Sequence, residues 1–432
     1  MDRRSFLKLP TLLPLIDFGP ARRSESHHFG YESVLGTSMD LLIASPSLRV
    51  AEAACRTVLE EIDRLRSILD TRDPGSEVSR LERLDARCEV SRDLTEVLNA
   101  YEYWERRTGG VFSIRPGGAG TPRNVDALGK AYIIERAAAA ALSAWPSIDA
   151  LLLNVGGDVV TRGPASEIAI ADPAAWYDNA QPLSTIDVRN AAVATSGTYA
   201  RGAHLTDPRS GQSPDSSICA TVIAPDAVTA NALATTLCLL SAEEDLRLVE
   251  STPGAEAMRV VSGVLQRTSG FAGLERPSAL RMAANTTWPS GYHLTLTLPL
   301  TANRSSKRPY VAVWVDDASG KLVRALALWG DKPKYWMDLS TLFNQVHGNV
   351  EPFHSVTRAT RSAGKYELEW DGLDNEHKPV PQGSYRITIE TNQEHGSYAK
   401  QTGTITLGDS PASITLPATA NFDAVLVQYG PK

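Results

Sequence analysis

The stretch SGTYARGAHLTDPRSG, Ser196 to Gly211, sets His204, Asp207, Arg201, Arg209 and the hydroxyls of Ser196, Thr198 and Tyr199 among three glycines. It holds too few apolar residues for a core element and too much variety for a linker. Glycine-rich loops of this kind hold polar groups on a rigid scaffold. A histidine near a hydroxyl can take its proton at neutral pH. From the residues alone His204 has two roles open to it, a base for an attacking hydroxyl or a structural histidine in a turn.

Three further segments carry comparable chemistry. In NVGGDVVTRG, residues 154–163, Gly156-Gly157 follows an apolar run. Such a pair lets the backbone approach a ligand, or simply makes a tight turn. In NVDALGKAY, residues 124–132, Lys130 opens a helix after a small-residue loop. A helix N-terminus with a lysine suits a phosphate, and a solvated lysine fits the same pattern. In TANALATTL, residues 229–237, Asn231 and Thr235 stand four apart and share a helix face. Two oxygens so placed can ligate a hard cation; a helix packing its small side is the alternative.

The elements that must position these groups follow from periodicity. Val50, Ala54, Val58, Leu59, Ile62, Leu65 and Ile68 recur at helical spacing within 47–70. Further helices are expected at 93–107, stopping at Gly109-Gly110, at 130–142, and from Asp226 through Leu240. Short strands are expected at 150–159, 167–173, 191–197 and 218–225. Mixed elements of this kind predict an α+β domain over 31–280, with its recognisable part from about residue 35. Beyond residue 285 the period changes to two, as in YHLTLTLPL at 292–300. Two strands around an Asp-Ala-Ser-Gly turn follow, then KYELEWDGLD and GSYRITIE. Little helical pattern remains, so 285–432 is expected to be an all-β sandwich whose Tyr310, Trp314, Trp329, Trp336 and Trp370 form core.

Composition narrows the function. The 432 residues are 42% hydrophobic and 22% charged, an ordinary globular balance. A net charge of −7 disfavours a nucleic-acid backbone as partner. Residues 1–30 are expected to be a signal and tail: Arg3-Arg4-Ser5-Phe6-Leu7-Lys8 and a short apolar run broken by Pro10 and Pro14 resemble a twin-arginine export signal. Cys55, Cys88, Cys219 and Cys238 have no metal or redox spacing and read as buried free thiols.

The motifs, taken in order, resemble the ApbE-type FAD:protein FMN transferases over 35–280. The matching segments are VLGTSMDL at 34–41, Ser76 to Leu81, Gly109 to Ser113, Asn124 to Tyr132, and Gly156 to Asp158. They continue with Ser196 to Tyr199, His204 to Gly211, and Asn231 to Thr235. The resemblance implies an exported enzyme, periplasmic or on the outer face of the cytoplasmic membrane. It would split FAD at its pyrophosphate, pass FMN to a Ser or Thr hydroxyl of an exported target protein, and release AMP. The target can be associated with the inner membrane. Mg²⁺ is the implied cofactor. By resemblance His204 is catalytic and contacts the cofactor. Leu35, the Val111–Phe112–Ser113 strand, Asn124, Lys130, Ser196 and Gly197 also bind FAD, and the Ala127 carbonyl, Asn231 and Thr235 hold the metal. The C-terminal part, with EWDGLDNEHKPVPQGSYRITIE at 369–390, resembles the immunoglobulin-like domain of flagellar hook-capping proteins and a domain of unknown function found beside ApbE-type enzymes.

Several positions depart from the family pattern. Asn231, Asn124 and Ser113 replace aspartates, Leu35 replaces a methionine, and Arg72 replaces an aromatic residue. Mg²⁺ prefers carboxylates, so an amide at 231 predicts weak metal binding unless Asp126 supplies the missing charge. The alternatives to transfer are a periplasmic FAD-binding protein without catalysis, and an FAD pyrophosphatase releasing FMN and AMP.

Overall fold

The computed structural model describes residues 24–84, 90–118, 120–173, 182–197, 205–213, 218–240, 246–276, 287–301, 308–330, 333–347, 351–358, 360–361, 363–393 and 396–431. Residues 1–23, with the signal-like segment, and Cys88 lie outside them. The chain divides into two compact units, the first running to Arg276 with residues 175–182 excepted, and the second holding those residues and everything from Pro277.

The first unit is built on a sheet of eight strands among the described residues: β1 (Glu25–Val34), β2 (Thr37–Ser45), β3 (Ala150–Val155), β4 (Asp158–Arg162), β7 (Ala192–Gly197), β8 (Ile218–Ala224), β9 (Glu256–Val261) and β10 (Val264–Arg267), neighbours in that order and antiparallel. Strands β5 (Ser166–Ile170) and β6 (Ser184–Val188) pair separately. Side chains alternate across a strand, and both faces of this sheet are buried. Leu151, Leu153 and Val155 of β3 face one core with the helices, while Leu152 joins Ile168, Ile170, Ile186, Val188 and Phe271 in a second core with β5 and β6.

Helices α1 (Leu48–Leu69), α2 (Glu77–Leu84), α3 (Arg92–Arg107), α4 (Asp126–Ala144), α5 (Ala227–Leu239) and α6 (Arg247–Glu250) complete the unit. Local chemistry sets their starts. Ser47, Ser91 and Asp226 cap α1, α3 and α5 by accepting from Val50 N, Leu94 N and Thr229 N. Ser76 does the same for α2 through Ser79 N, at 3.2 Å. Helix α1 buries Ala51, Ala54, Cys55, Val58, Ile62, Leu65 and Leu69 at 3.6-residue spacing. Helix α5 is apolar or small nearly all round and is buried accordingly.

Three expectations need correction. Glu25–Gly30 is not tail: it lies in edge strand β1, where His28 Nε2 is 3.0 Å from Asp40 Oδ1. Its sequence ESHHFGYESV is polar because an edge strand is half solvated. Helix α4 begins at Asp126, not Lys130, because Asn124 Oδ1 accepts from Asp126 N at 2.8 Å and extends the start. Val111–Ser113 is not a strand; it is irregular chain following α3.

The second unit is a two-sheet sandwich. One sheet orders β15 (Gly364–Trp370), β11 (Tyr292–Leu300), β19 (Val425–Pro431) and β18 (Ala412–Leu416); the other orders β14 (Thr357–Arg358), β13 (Leu322–Trp329), β12 (Tyr310–Asp316), β16 (Gly383–Asn392) and β17 (Tyr398–Leu407). Leu294, Leu296 and Leu298 meet Val311, Val313, Val315, Ile387 and Ile389 between them. Trp329 and Trp370 lie in this core, while Trp314 and Trp336 pack on the outer face of the second sheet with Leu339, Leu342 and Phe353. That outer layer, α7 (Ser340–Gln345) with 3₁₀ turns at Pro333–Asp338 and Glu351–Val356, is the helical content the sequence pattern did not reveal.

Candidate active site

A cleft of about 890 Å³ opens in the first unit, a size that suits a ligand larger than a mononucleotide. Two hairpin turns form one wall. Leu35 and Gly36 join β1 to β2 with φ of 51° and 80°, and Gly156 and Gly157 join β3 to β4 with φ of 58° and 92°. Left-handed pairs are what a two-residue hairpin requires; at Leu35 a branched side chain is held there under strain. The turns touch: a Cβ on Gly156 would stand 2.6 Å from Thr37 Oγ1. Asn154 Oδ1 accepts from Gly157 N at 3.1 Å and fixes the second turn.

Just after that turn comes Asp158, which is buried at 4% exposure. Its Oδ2 lies 2.6 Å from Lys130 Nζ, and Lys130 also donates to the Val155 carbonyl at 3.2 Å. Asn231 Nδ2 donates to both Asp158 oxygens at 3.4 Å. Among the described residues, nothing donates to Asn231 Oδ1, which is buried. One turn along α5, Thr235 Oγ1 is 3.3 Å from Ser196 Oγ at the end of β7. Cys238 Sγ donates to the Ser196 carbonyl at 3.2 Å.

Aromatic and basic residues line the cleft as well. Phe112 stacks on Tyr101 at 5.4 Å, and the Tyr101 hydroxyl accepts from Leu128 N at 3.3 Å in the first turn of α4. Ser113 Oγ donates to Glu105 Oε1 at 2.7 Å. Arg66 Nε and Arg72 Nε both reach Asp70, at 3.1 and 3.3 Å. Burial opposes the charge of Asp70, but the Arg72 N–H and the two guanidinium groups outweigh it and hold the carboxyl below its ordinary value.

Leu35, Val111, Phe112, Ser113, Asn124, Lys130, Ser196 and Gly197 all line this one cleft, and so do Ala127, Asn231 and Thr235. His204, Thr198 and Tyr199 lie outside the described residues. Asp207 and Arg209 face each other, Nη2 to Oδ2 at 2.8 Å, and the guanidinium draws the Asp207 carboxyl below its ordinary value. The carboxylate bonded to Asn231 is that of Asp158; Asp126 instead accepts from Thr71 Oγ1 at 2.7 Å. Sequence reasoning placed Asp158 in a turn motif but gave it no role, because its partners come from α4 and α5, far along the chain. Cys55, Cys219 and Cys238 are free and buried, as expected, and burial pushes the Cys219 thiol up to about 12.

The donor set fits a hard divalent cation. An orphaned buried amide oxygen at 231 and a hydroxyl at 235 can serve as neutral oxygen donors, beside the Asp158 carboxylate that Lys130 already pairs. No group of three His, Cys, Asp or Glu side chains with metal-binding proximity occurs among the described residues. Among them, too, no helix is long and apolar enough to cross a membrane.

Comparisons with known proteins agree with this geometry. Residues 292–424 match the DUF2271 family, described as a predicted periplasmic protein. Three solved structures share the fold of the first unit. They are the ApbE protein of Thermotoga maritima (22% identity, TM-score 0.52, 59% of this chain and 100% of that one), the flavin transferase ApbE of Vibrio cholerae (16%, 0.50, 58% and 99%), and the flavinyl transferase ApbE of Pseudomonas stutzeri in its apo form (20%, 0.50, 59% and 98%). No curated protein matches the chain. The ApbE family model matches residues 35–121 and 118–259, more than half of the sequence, and the chain belongs to the ApbE family.

Proposed function

We propose that this protein is an FAD:protein FMN transferase acting on an exported target in the periplasm. The observation that carries this reading is the convergence of the family's motif segments on one cleft. The Leu35–Gly36 turn, the Val111–Ser113 segment, the N-terminus of α4, the Gly156–Gly157 turn, the end of β7 and one face of α5 all line it. In the reaction, a Ser or Thr hydroxyl oxygen of the target attacks the FMN phosphorus of FAD. The P–O bond to AMP breaks, AMP leaves with the electron pair, and the hydroxyl proton passes to a base. Such transfers depend on positioning and charge neutralisation more than on covalent catalysis.

Residue roles follow from chemistry and place. Lys130, at the end of the first turn of α4, is a cation for the pyrophosphate. Phe112 and Leu35 offer apolar surface to the flavin, with Asn124, Ser113, Ser196 and Gly197 as polar contacts. Asn231, Thr235 and the Ala127 carbonyl would hold Mg²⁺, whose chemistry is to neutralise charge on the phosphates. His204 is the candidate base. The Arg3-Arg4 segment is the export signal of this reading, in keeping with the periplasmic description of the family matched by the second unit.

The amides at 231 and 124 favour a second reading, FAD binding without transfer. Incubating the protein with FAD and Mg²⁺, with and without periplasmic extract, separates the two. AMP release together with fluorescent flavin on a denatured acceptor band supports transfer. AMP without a labelled band means hydrolysis, and bound FAD with neither product means binding alone.

A further inference from the structure

The cation reading of the cleft, on which this inference rests, leaves open why an amide stands at 231. We propose that Asp158 is the positioning residue for Asn231, fixing its side chain so that Oδ1 faces the cleft as a cation ligand. A side-chain amide can turn over about its last bond and exchange oxygen for nitrogen. Here only one orientation is favourable. Asn231 Nδ2 donates to both Asp158 oxygens at 3.4 Å, and the reversed amide would set Oδ1 against that carboxylate. Lys130 Nζ, 2.6 Å from Asp158 Oδ2 and bonded to the Val155 carbonyl, anchors the carboxylate in turn. The consequence is visible: Asn231 lines the cleft, and its Oδ1 is buried with no donor among the described residues. Buried oxygens are nearly always paired, so an orphan on a cleft-lining residue marks a place that a ligand completes.

The pair has also divided its labour. Position 158 carries the negative charge and position 231 the neutral ligand. A carboxylate at 231 would put two like charges at the separation now spanned by a hydrogen bond, with Lys130 to balance only one of them. The amide at 231 can therefore donate to Asp158 where a carboxylate could not.

The test is a swap, read by Mn²⁺ binding through the electron paramagnetic resonance signal of the free ion, with thermal melting of the metal-free protein alongside. Partners that orient metal ligands typically change affinity by about 10–100-fold. Asp158→Asn should weaken Mn²⁺ binding by that factor. Asp158→Asn with Asn231→Asp should regain it, since an amide at 158 can then hold a carboxylate at 231. Metal-free Asn231→Asp should melt below the parent, and the double variant should melt above Asn231→Asp. If Asp158→Asn keeps parental affinity, or the double variant binds no better than Asp158→Asn, the positioning role is overturned. A merely structural Asp158 leaves the Mn²⁺ affinity of Asp158→Asn parental and lowers only its melting temperature. A parent that binds no Mn²⁺ while still binding FAD by flavin fluorescence overturns the cation reading itself, and this inference with it.

Discussion

Lys130 Nζ and Asp158 Oδ2 stand 2.6 Å apart, joining the N-terminus of α4 to the β3–β4 turn across the cleft wall. Asp158 is almost fully buried and Lys130 largely so. Removing one member of such a pair leaves an uncompensated charge, which destabilises by about 3 kcal/mol. Lys130→Met should therefore lower the unfolding free energy by that much, seen as a lower denaturant midpoint. FAD affinity should fall as well, roughly tenfold or more, for loss of a charge-assisted bond to phosphate. Lys130→Met paired with Asp158→Leu should recover stability but not FAD affinity, which separates the structural from the binding effect.

The two glycines of the second turn should not be equivalent. Both have positive φ, so alanine strains either one by about 1 kcal/mol. At Gly156 a Cβ also meets Thr37 Cγ2 and Oγ1 at 2.6 Å, whereas at Gly157 it meets nothing within 4 Å. Overpacking adds about 1–3 kcal/mol at the first position only. Thermal melts of Gly156→Ala and Gly157→Ala should differ accordingly, with the first also losing FAD.

Much of this architecture was legible in the sequence because local chemistry dictates it. Ser47 and the apolar spacing of α1, Asp226 before α5, and the period-two run at 292–300 all stand where the structure has the corresponding element. What was not legible depends on partners distant in the chain. Strand β1 has no amphipathic pattern because it lies at a sheet edge, and among the described residues its only strand partner is β2. The importance of Asp158 needs β3–β4 pairing to bring it to α4 and α5. The resemblance implies a strand at Val111–Ser113, yet Phe112 is buried by stacking on Tyr101, not by a sheet.

Separate cores in the two units predict an independent first unit. Its helices and sheet pack among themselves, from Met39 to Ala257, and the sandwich residues form cores of their own from Trp288 onward. A chain ending at residue 280 should fold with a cooperative transition and bind FAD with parental affinity. Flavin fluorescence quenching measures this, and a folded fragment that binds no flavin would move the site assignment elsewhere.

Asp70 gives a pH signature. Its folded-state carboxyl lies below the unfolded value of about 3.9, so its contribution is present above that value and is lost as pH falls through the folded one. The guanidinium partners are exposed, which limits the contribution to about 1 kcal/mol. Asp70→Asn should be less stable than the parent near neutral pH and equal to it in strong acid. Urea denaturation at the two pH values checks the sign.

His204 is the strongest test of the proposed chemistry. Ser196 and Gly197 line the cleft before it in the chain, and Leu205, its immediate neighbour, lines the cleft after it. A base acts on the attacking hydroxyl and not on FAD itself, so the two functions should separate on substitution. His204→Ala should slow transfer about 10²–10⁴-fold, the usual range for a general base, while FAD binding stays parental. Asn231→Ala, by contrast, should raise the Mg²⁺ concentration needed for half-maximal rate. Single-turnover AMP release at saturating FAD distinguishes them: a His204→Ala rate near the parent's would remove the histidine from the mechanism and leave the hydroxyl to be activated by charge neutralisation alone.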